Sequence, residues 1–122
     1  MKALILVAHA DDETLGAGGT IQKLAKADWD VQIVIMADGI IRTRGDTTQD
    51  NRRHAKEACA ELGVDEPVFV GFPDQKFDSL PISELAGKVG ALGCEPDLII
   101  THAHTDLNRD HRLTLEVARI IG

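Results

Sequence analysis

Apolar positions along this chain switch between two periods. Four short runs, Leu4 to Ala8, Val31 to Ala37, Val68 to Phe72 and Leu98 to Thr101, are nearly continuous and rich in β-branched residues, as strands covered on both faces are. Between them, apolar residues recur at helical spacing: Ile21, Leu24 and Ala25; Ala55, Ala58, Cys59 and Leu62; Ile82, Leu85, Ala86 and Val89. A fourth helix is predicted to start near His111, with Leu113, Val117, Ile120 and Ile121 on one side. Gly63 and Gly93 mark helix ends, and Pro81 suits the first turn of the third helix. The order β-α-β-α-β-α-β-α predicts an α/β fold, a doubly wound parallel sheet with right-handed crossovers. In such a sheet the ligand crevice lies outside the carboxyl ends of the strands.

Two polar clusters fall at that edge. His9-Ala10-Asp11-Asp12-Glu13 follows the first run directly, and an imidazole beside two carboxylates can hold a divalent metal and leave one carboxylate as a base. The last run opens into His102-Ala103-His104-Thr105-Asp106-Leu107-Asn108-Arg109-Asp110-His111, which carries three of the chain's five histidines. Convergence of the two clusters on one sheet edge predicts a single metal site. Taken alone, Asp11, Asp12 and Glu13 read equally well as first-turn carboxylates that favour the helix dipole, and His9 as a satisfied core histidine. His54, among Arg52, Arg53 and Lys56, reads as solvated surface. Gly16, Gly18 and Gly19 suggest a phosphate-cradling turn, but the neighbouring carboxylates would repel phosphate, so close helix-to-strand packing is the preferred account.

Composition narrows the class. At 122 residues, 43% hydrophobic and 27% charged, the chain can bury one core, so residues 1–122 read as a single domain. A formal net charge of -7 with no basic stripe argues against nucleic acid and for small solutes as partners. No apolar run reaches membrane-span length, and the Met1-Lys2 start leads into a strand rather than a signal peptide, which makes the cytoplasm the expected compartment. Cys59 and Cys94 read as reduced core or loop residues.

The segment Ala8-His9-Ala10-Asp11-Asp12-Glu13-Thr14-Leu15-Gly16-Ala17-Gly18-Gly19-Thr20 resembles the signature of the LmbE-like, or PIG-L, superfamily of metal-dependent N-acetylglucosamine-type deacetylases. Asp106-Leu107-Asn108-Arg109-Asp110-His111-Arg112 is similar to its second motif, and Leu62-Gly63-Val64 and Phe72-Pro73-Asp74 also match. The resemblance implies a Rossmann-like sheet, with His9, Asp12 and His111 as ligands of a zinc or other divalent ion and Asp11 as general base. It also implies hydrolysis of an N-acetylated sugar or sugar conjugate: zinc activates water and polarises the amide, and Asp11 moves the proton to the leaving amine.

Three departures from the family pattern matter. Ala10 replaces a common proline without removing a ligand. Asn108 stands where many relatives carry a histidine that stabilises the oxyanion, so an amide donor, or His104 as the nearest imidazole, is expected to serve. Relatives also continue well past residue 122, which makes the chain the N-terminal, metal-binding half of a longer domain or an unusually short member. An unpaired sheet edge would favour homo-oligomers. Two alternatives come from other classes. A two-metal phosphoesterase would use Asp11, Asp12, Asp106 and Asp110 with Arg109, Arg112 and the Arg42/Arg44 loop near phosphate; a non-catalytic metal-binding module would use the same ligands without turnover.

Overall fold

A computed structural model describes residues 1–42 and 48–122, apart from the side chains of Glu13, Thr14, Leu15 and Arg42; the expected role of Arg44 falls outside these described residues. Four parallel strands form the sheet: β1 (Lys2–Val7), β2 (Asp30–Ala37), β5 (Val68–Phe72) and β6 (Leu98–Ile100), in the order β5-β2-β1-β6. Helices α1 (Asp12–Lys26), α2 (Arg52–Leu62) and α3 (Ile82–Gly90) lie between them in sequence, and α4 (Arg109–Ile121) follows β6. The doubly wound α/β architecture is therefore the one expected. Strand order runs outward from β1 to β5 and then returns to β6 on the other flank. The switch point thus lies between β1 and β6, which pair in register from Ala3 with Leu98 to Ile5 with Ile100.

Alternation along the buried strands sorts the core into two layers. Leu4, Leu6, Val34 and Met36 pack with Phe72, Phe77, Leu85 and Val117 on one face. Ala3, Ile5, Ile33 and Ile35 pack with Ile21, Ala55 and Cys59 on the other. Covering both faces is what makes β1 and β2 continuously apolar in sequence. Among the described residues no helix is long and apolar enough to cross a membrane.

Several expectations need amendment. Strands β3 (Ile40–Arg42) and β4 (Thr48–Asp50) form an antiparallel pair that the pattern did not predict, because three residues are too few for a period to register. Gly39 carries the chain into it with φ +80°; a Cβ there would lie 2.6 Å from Arg52 Cγ and 2.9 Å from Phe69 Cε1. Gly16 and Gly19 do not mark close packing, since a Cβ at either meets nothing within 4 Å. Pro81 is the N-cap of α3 rather than a first-turn residue. In α4 the buried stripe is Asp110, Thr114, Val117 and Ala118, whereas Ile120 is 58% exposed. Gly63 does end α2, in the left-handed conformation at φ 79°, with the Val64 N–H reaching back to the Cys59 carbonyl.

Candidate metal centre

The turn out of β1 and the start of α4 meet at the switch point. His9 leaves β1, and Asp12 opens α1 with its Oδ2 accepting the His9 backbone N–H at 2.9 Å. Asn108 caps α4, its Oδ1 accepting the His111 N–H at 3.2 Å, so the helix begins at Arg109 with His111 in its first turn. Three donor atoms then converge. His9 Nδ1 lies 3.2 Å from His111 Nε2 and 3.5 Å from Asp12 Oδ2, and His111 Nε2 lies 3.2 Å from Asp12 Oδ2. Tetrahedral zinc with bonds of about 2.0–2.1 Å needs donors about 3.3 Å apart, so the trio matches one face of such a site.

Each histidine is held from behind by a carboxylate. Asp110, 2% exposed, places Oδ2 2.9 Å from His9 Nε2 while its Oδ1 accepts the Phe77 N–H at 3.1 Å. Asp106 Oδ2 lies 2.8 Å from His111 Nδ1, and its Oδ1 accepts the Asn108 N–H at 2.9 Å. A ligand histidine commonly donates its second ring N–H to a carboxylate in this way, which fixes tautomer and ring orientation. Sequence reasoning left both roles unassigned. For Asp110 a signal existed, because it occupies the apolar stripe of α4 together with Thr114 and Val117.

The protonation of the cluster follows from its crowding. Burial pushes the His9 imidazole down, but hydrogen bonds to Asp12 and Asp110 and the charges of Asp12 and Asp74 outweigh it and raise its pKa to about 8. Burial raises Asp12, yet hydrogen bonds from the His9 side chain and backbone and the charge of His111 bring it below the ordinary carboxylate value. His102 behaves oppositely: burial and the neighbouring charge of His111 lower it to about 4. The hydrogen bond from His111 and that from the Asn108 backbone lower Asp106.

His102 is a third residue whose role sequence reasoning left unassigned. Its ring stacks on His111 at 3.8 Å and 13°, and its Nε2 accepts the Ala8 N–H at 2.9 Å. The trio His102, Asp106 and His111 also brings potential ligand atoms within 4.8 Å of one another. It makes a poor cation site, because stacked rings point their nitrogen lone pairs along parallel planes and one nitrogen of His102 is already engaged.

Asp11 precedes Asp12 at φ 81°, exposed, and its side chain makes no capping hydrogen bond. The capping account therefore does not hold for Asp11, which occupies a left-handed conformation that costs a non-glycine residue energy. His104 is not brought to the trio. It sits in the exposed turn closed by Asp106 N–H to the Ala103 carbonyl, and it lines a cavity of about 370 Å³ with Arg109, Arg112, Leu113, Glu116 and Arg119. Asn108, besides capping α4, donates from Nδ2 to Gln75 Oε1 at 3.3 Å. Gln75 and Asp74, in the loop after β5, reach His9 Nε2 at 3.3 Å each. His54 is exposed, as expected.

Comparison with known proteins bears on this arrangement. The family model described as PIG-L, GlcNAc-PI de-N-acetylase, matches residues 4–121. The chain belongs to the PIG-L family. Within it, a probable N-acetyl-alpha-D-glucosaminyl L-malate deacetylase 2 of Bacillus cereus is 27% identical over 109 residues, covering 80% of this chain and 50% of that protein. The N,N'-diacetylchitobiose deacetylase of Pyrococcus horikoshii superposes with a TM-score of 0.81 at 27% identity, covering 96% of this chain and 47% of that one. The PIG-L chain described here thus spans about half the length of these relatives. A 4-carboxy-2-hydroxymuconate hydratase of Pseudomonas putida shares the fold with a TM-score of 0.67 at 23% identity, covering 98% of this chain and 55% of that one. Fold alone therefore does not decide the reaction.

Proposed function

We propose that this chain is the metal-binding part of a hydrolase that removes an N-acetyl group from an amino sugar or its conjugate, with His9, Asp12 and His111 as ligands of zinc or a similar divalent ion. The observation that carries it is the triangle of donor atoms with edges of 3.2, 3.2 and 3.5 Å, backed by Asp110 and Asp106. Two imidazoles and one carboxylate suit zinc and leave a coordination position open. A metal held there supplies Lewis acidity, lowering the pKa of water and polarising the amide carbonyl.

The chain's own residues do the rest. Asp11, next to ligand Asp12, is exposed with a left-handed backbone and lies outside the trio, and we assign it to take a proton from the attacking water. Returning that proton to the leaving nitrogen breaks the C–N bond, and amide plus water become acetate plus amine. Asp12 cannot share this task, because its Oδ2 is occupied by the His9 N–H and faces both imidazoles. Asn108 is placed to cap α4 and orient its surroundings rather than to serve as an imidazole would. Elemental analysis of the purified protein, together with an assay of acetate release from N-acetylglucosamine, tests the proposal. His111→Ala should lose both metal and acetate release, and His54→Ala should lose neither. Equal metal retention in the two variants would sink the ligand assignment.

A further inference from the structure

Beside His9 lies a cavity of about 170 Å³ walled by Ala10, Gly39, Ile40 and Ile41, and Gln75 forms one side of it. Two features of Gln75 stand out. It holds φ +59°, a conformation that glycine adopts freely and glutamine rarely does. It is also the end of a directed chain of hydrogen bonds. The His111 N–H occupies Asn108 Oδ1, which leaves Asn108 Nδ2 to donate to Gln75 Oε1. An amide flip of Gln75 would set two NH₂ groups against each other, and a flip of Asn108 would uncap α4. The Gln75 NH₂ is therefore turned toward His9.

His9 cannot take that hydrogen bond. Its Nε2 lies 2.9 Å from Asp110 Oδ2, and a buried carboxylate that also receives the Phe77 N–H acts as an acceptor, so Nε2 must donate. The 3.3 Å approach of Gln75 Nε2 to His9 Nε2 then brings two donors together, so His9 does not satisfy this exposed amide N–H. It is a donor oriented in advance beside a cavity whose other walls are apolar apart from His9 and the Asp74 carboxylate.

We propose that Gln75 donates a hydrogen bond to a hydroxyl oxygen of the N-acylated sugar and so sets substrate affinity, with Asn108 as its positioning residue; this rests on the proposed deacetylase function. The partner is a hydroxyl rather than the scissile carbonyl, because Gln75 faces Nε2 of His9 whereas Nδ1, across the ring, faces Asp12 and His111. Gln75 thus acts on binding more than on the bond broken.

The test titrates metal-loaded protein with N-acetylglucosamine while following the Gln75 side-chain amide by NMR, with melting temperatures and kinetics measured in parallel. Gln75→Gly and the isosteric Gln75→Glu should each weaken Kd and KM by about 3- to 10-fold, the worth of one neutral hydrogen bond, with kcat little changed. Gln75→Gly should not lower the melting temperature, because glycine relieves the backbone. Asn108→Asp keeps the cap but loses the N–H that orients Gln75, and should show a smaller loss of affinity in the same direction. Unchanged sugar affinity in both Gln75 variants, or a Gln75 amide signal unmoved at saturating sugar, would overturn the proposal. Acetate release by wild type with KM unaltered in the Gln75 variants would overturn this inference alone. Neither release nor binding by wild type would overturn the deacetylase function and this inference with it.

Discussion

Replacing Asp110 with asparagine should damage the metal centre although Asp110 touches no metal. Its two oxygens serve two donors, the His9 Nε2–H at 2.9 Å and the Phe77 N–H at 3.1 Å, in a site where the residue is 2% exposed. Asparagine has the same shape but a single acceptor oxygen, so its NH₂ must face one of those donors. A buried donor left unsatisfied costs about 1–3 kcal/mol, and a hydrogen bond to a charged group is worth about 1.5–3 kcal/mol. Loss of such a partner behind a ligand histidine typically weakens metal affinity about 10- to 100-fold, which agrees with those energies. Asp106 offers an internal control: it stands behind His111 in the same way, at 2.8 Å, but its side chain is 32% exposed. Water can replace its oxygen, so Asp106→Asn should cost less than about 10-fold. Zinc affinity measured by competition with a chromophoric chelator, together with thermal unfolding of the metal-free forms, gives both numbers. Equal losses in the two variants, or a larger one in Asp106→Asn, would refute the argument that burial decides the weight of each supporting carboxylate.

Three further outcomes are expected. Asp11→Asn should keep the metal and lose about 10²- to 10⁴-fold in amide hydrolysis; joint loss of metal and activity would make Asp11 a ligand instead. The metal-free protein should be most stable near pH 6.5 in urea unfolding with chelator present. His9, raised to about 8, contributes fully below its unfolded value of 6.5 and loses that contribution, of order 2 kcal/mol, as pH rises through 8. His102, lowered to about 4, contributes fully above 6.5 and loses its share as pH falls toward 4; a steady rise in stability from pH 6.5 to 9 would contradict the pair. Gly39→Ala should destabilise by about 2 kcal/mol, given its φ of +80° and the contacts at 2.6 and 2.9 Å. Gly16→Ala, in open space on α1, should instead stabilise by about 0.5–1 kcal/mol, and the two midpoints measured side by side check the contrast.

What the sequence determined by itself was the alternation of elements and the edge at which the chemistry gathers. Continuous apolar runs arise because β1 and β2 are covered on both faces, and helical spacing arises because each helix hides one stripe, so both are written locally. Strand ends placed the two polar clusters at the edge where a parallel sheet has its crevice, while the choice of His9, Asp12 and His111 within them came from the family resemblance. The tertiary structure alone decided which residues meet there. β6 returns beside β1, so His102 and Asp110, about a hundred residues downstream of Ala8 and His9, come to rest against them. The loop after β5 brings Asp74 and Gln75 to the same imidazole, from a strand that does not adjoin β1. Within His102-Ala103-His104 the spacing could not say which imidazole turns inward. That depended on the Asp106-to-Ala103 turn, which leaves His104 in solvent, and on the Ala8 N–H, which needs an acceptor at the end of β1 and finds it in His102. Local pattern reports which face an element buries; partners distant along the chain are selected by the hydrogen bonds that burial then requires.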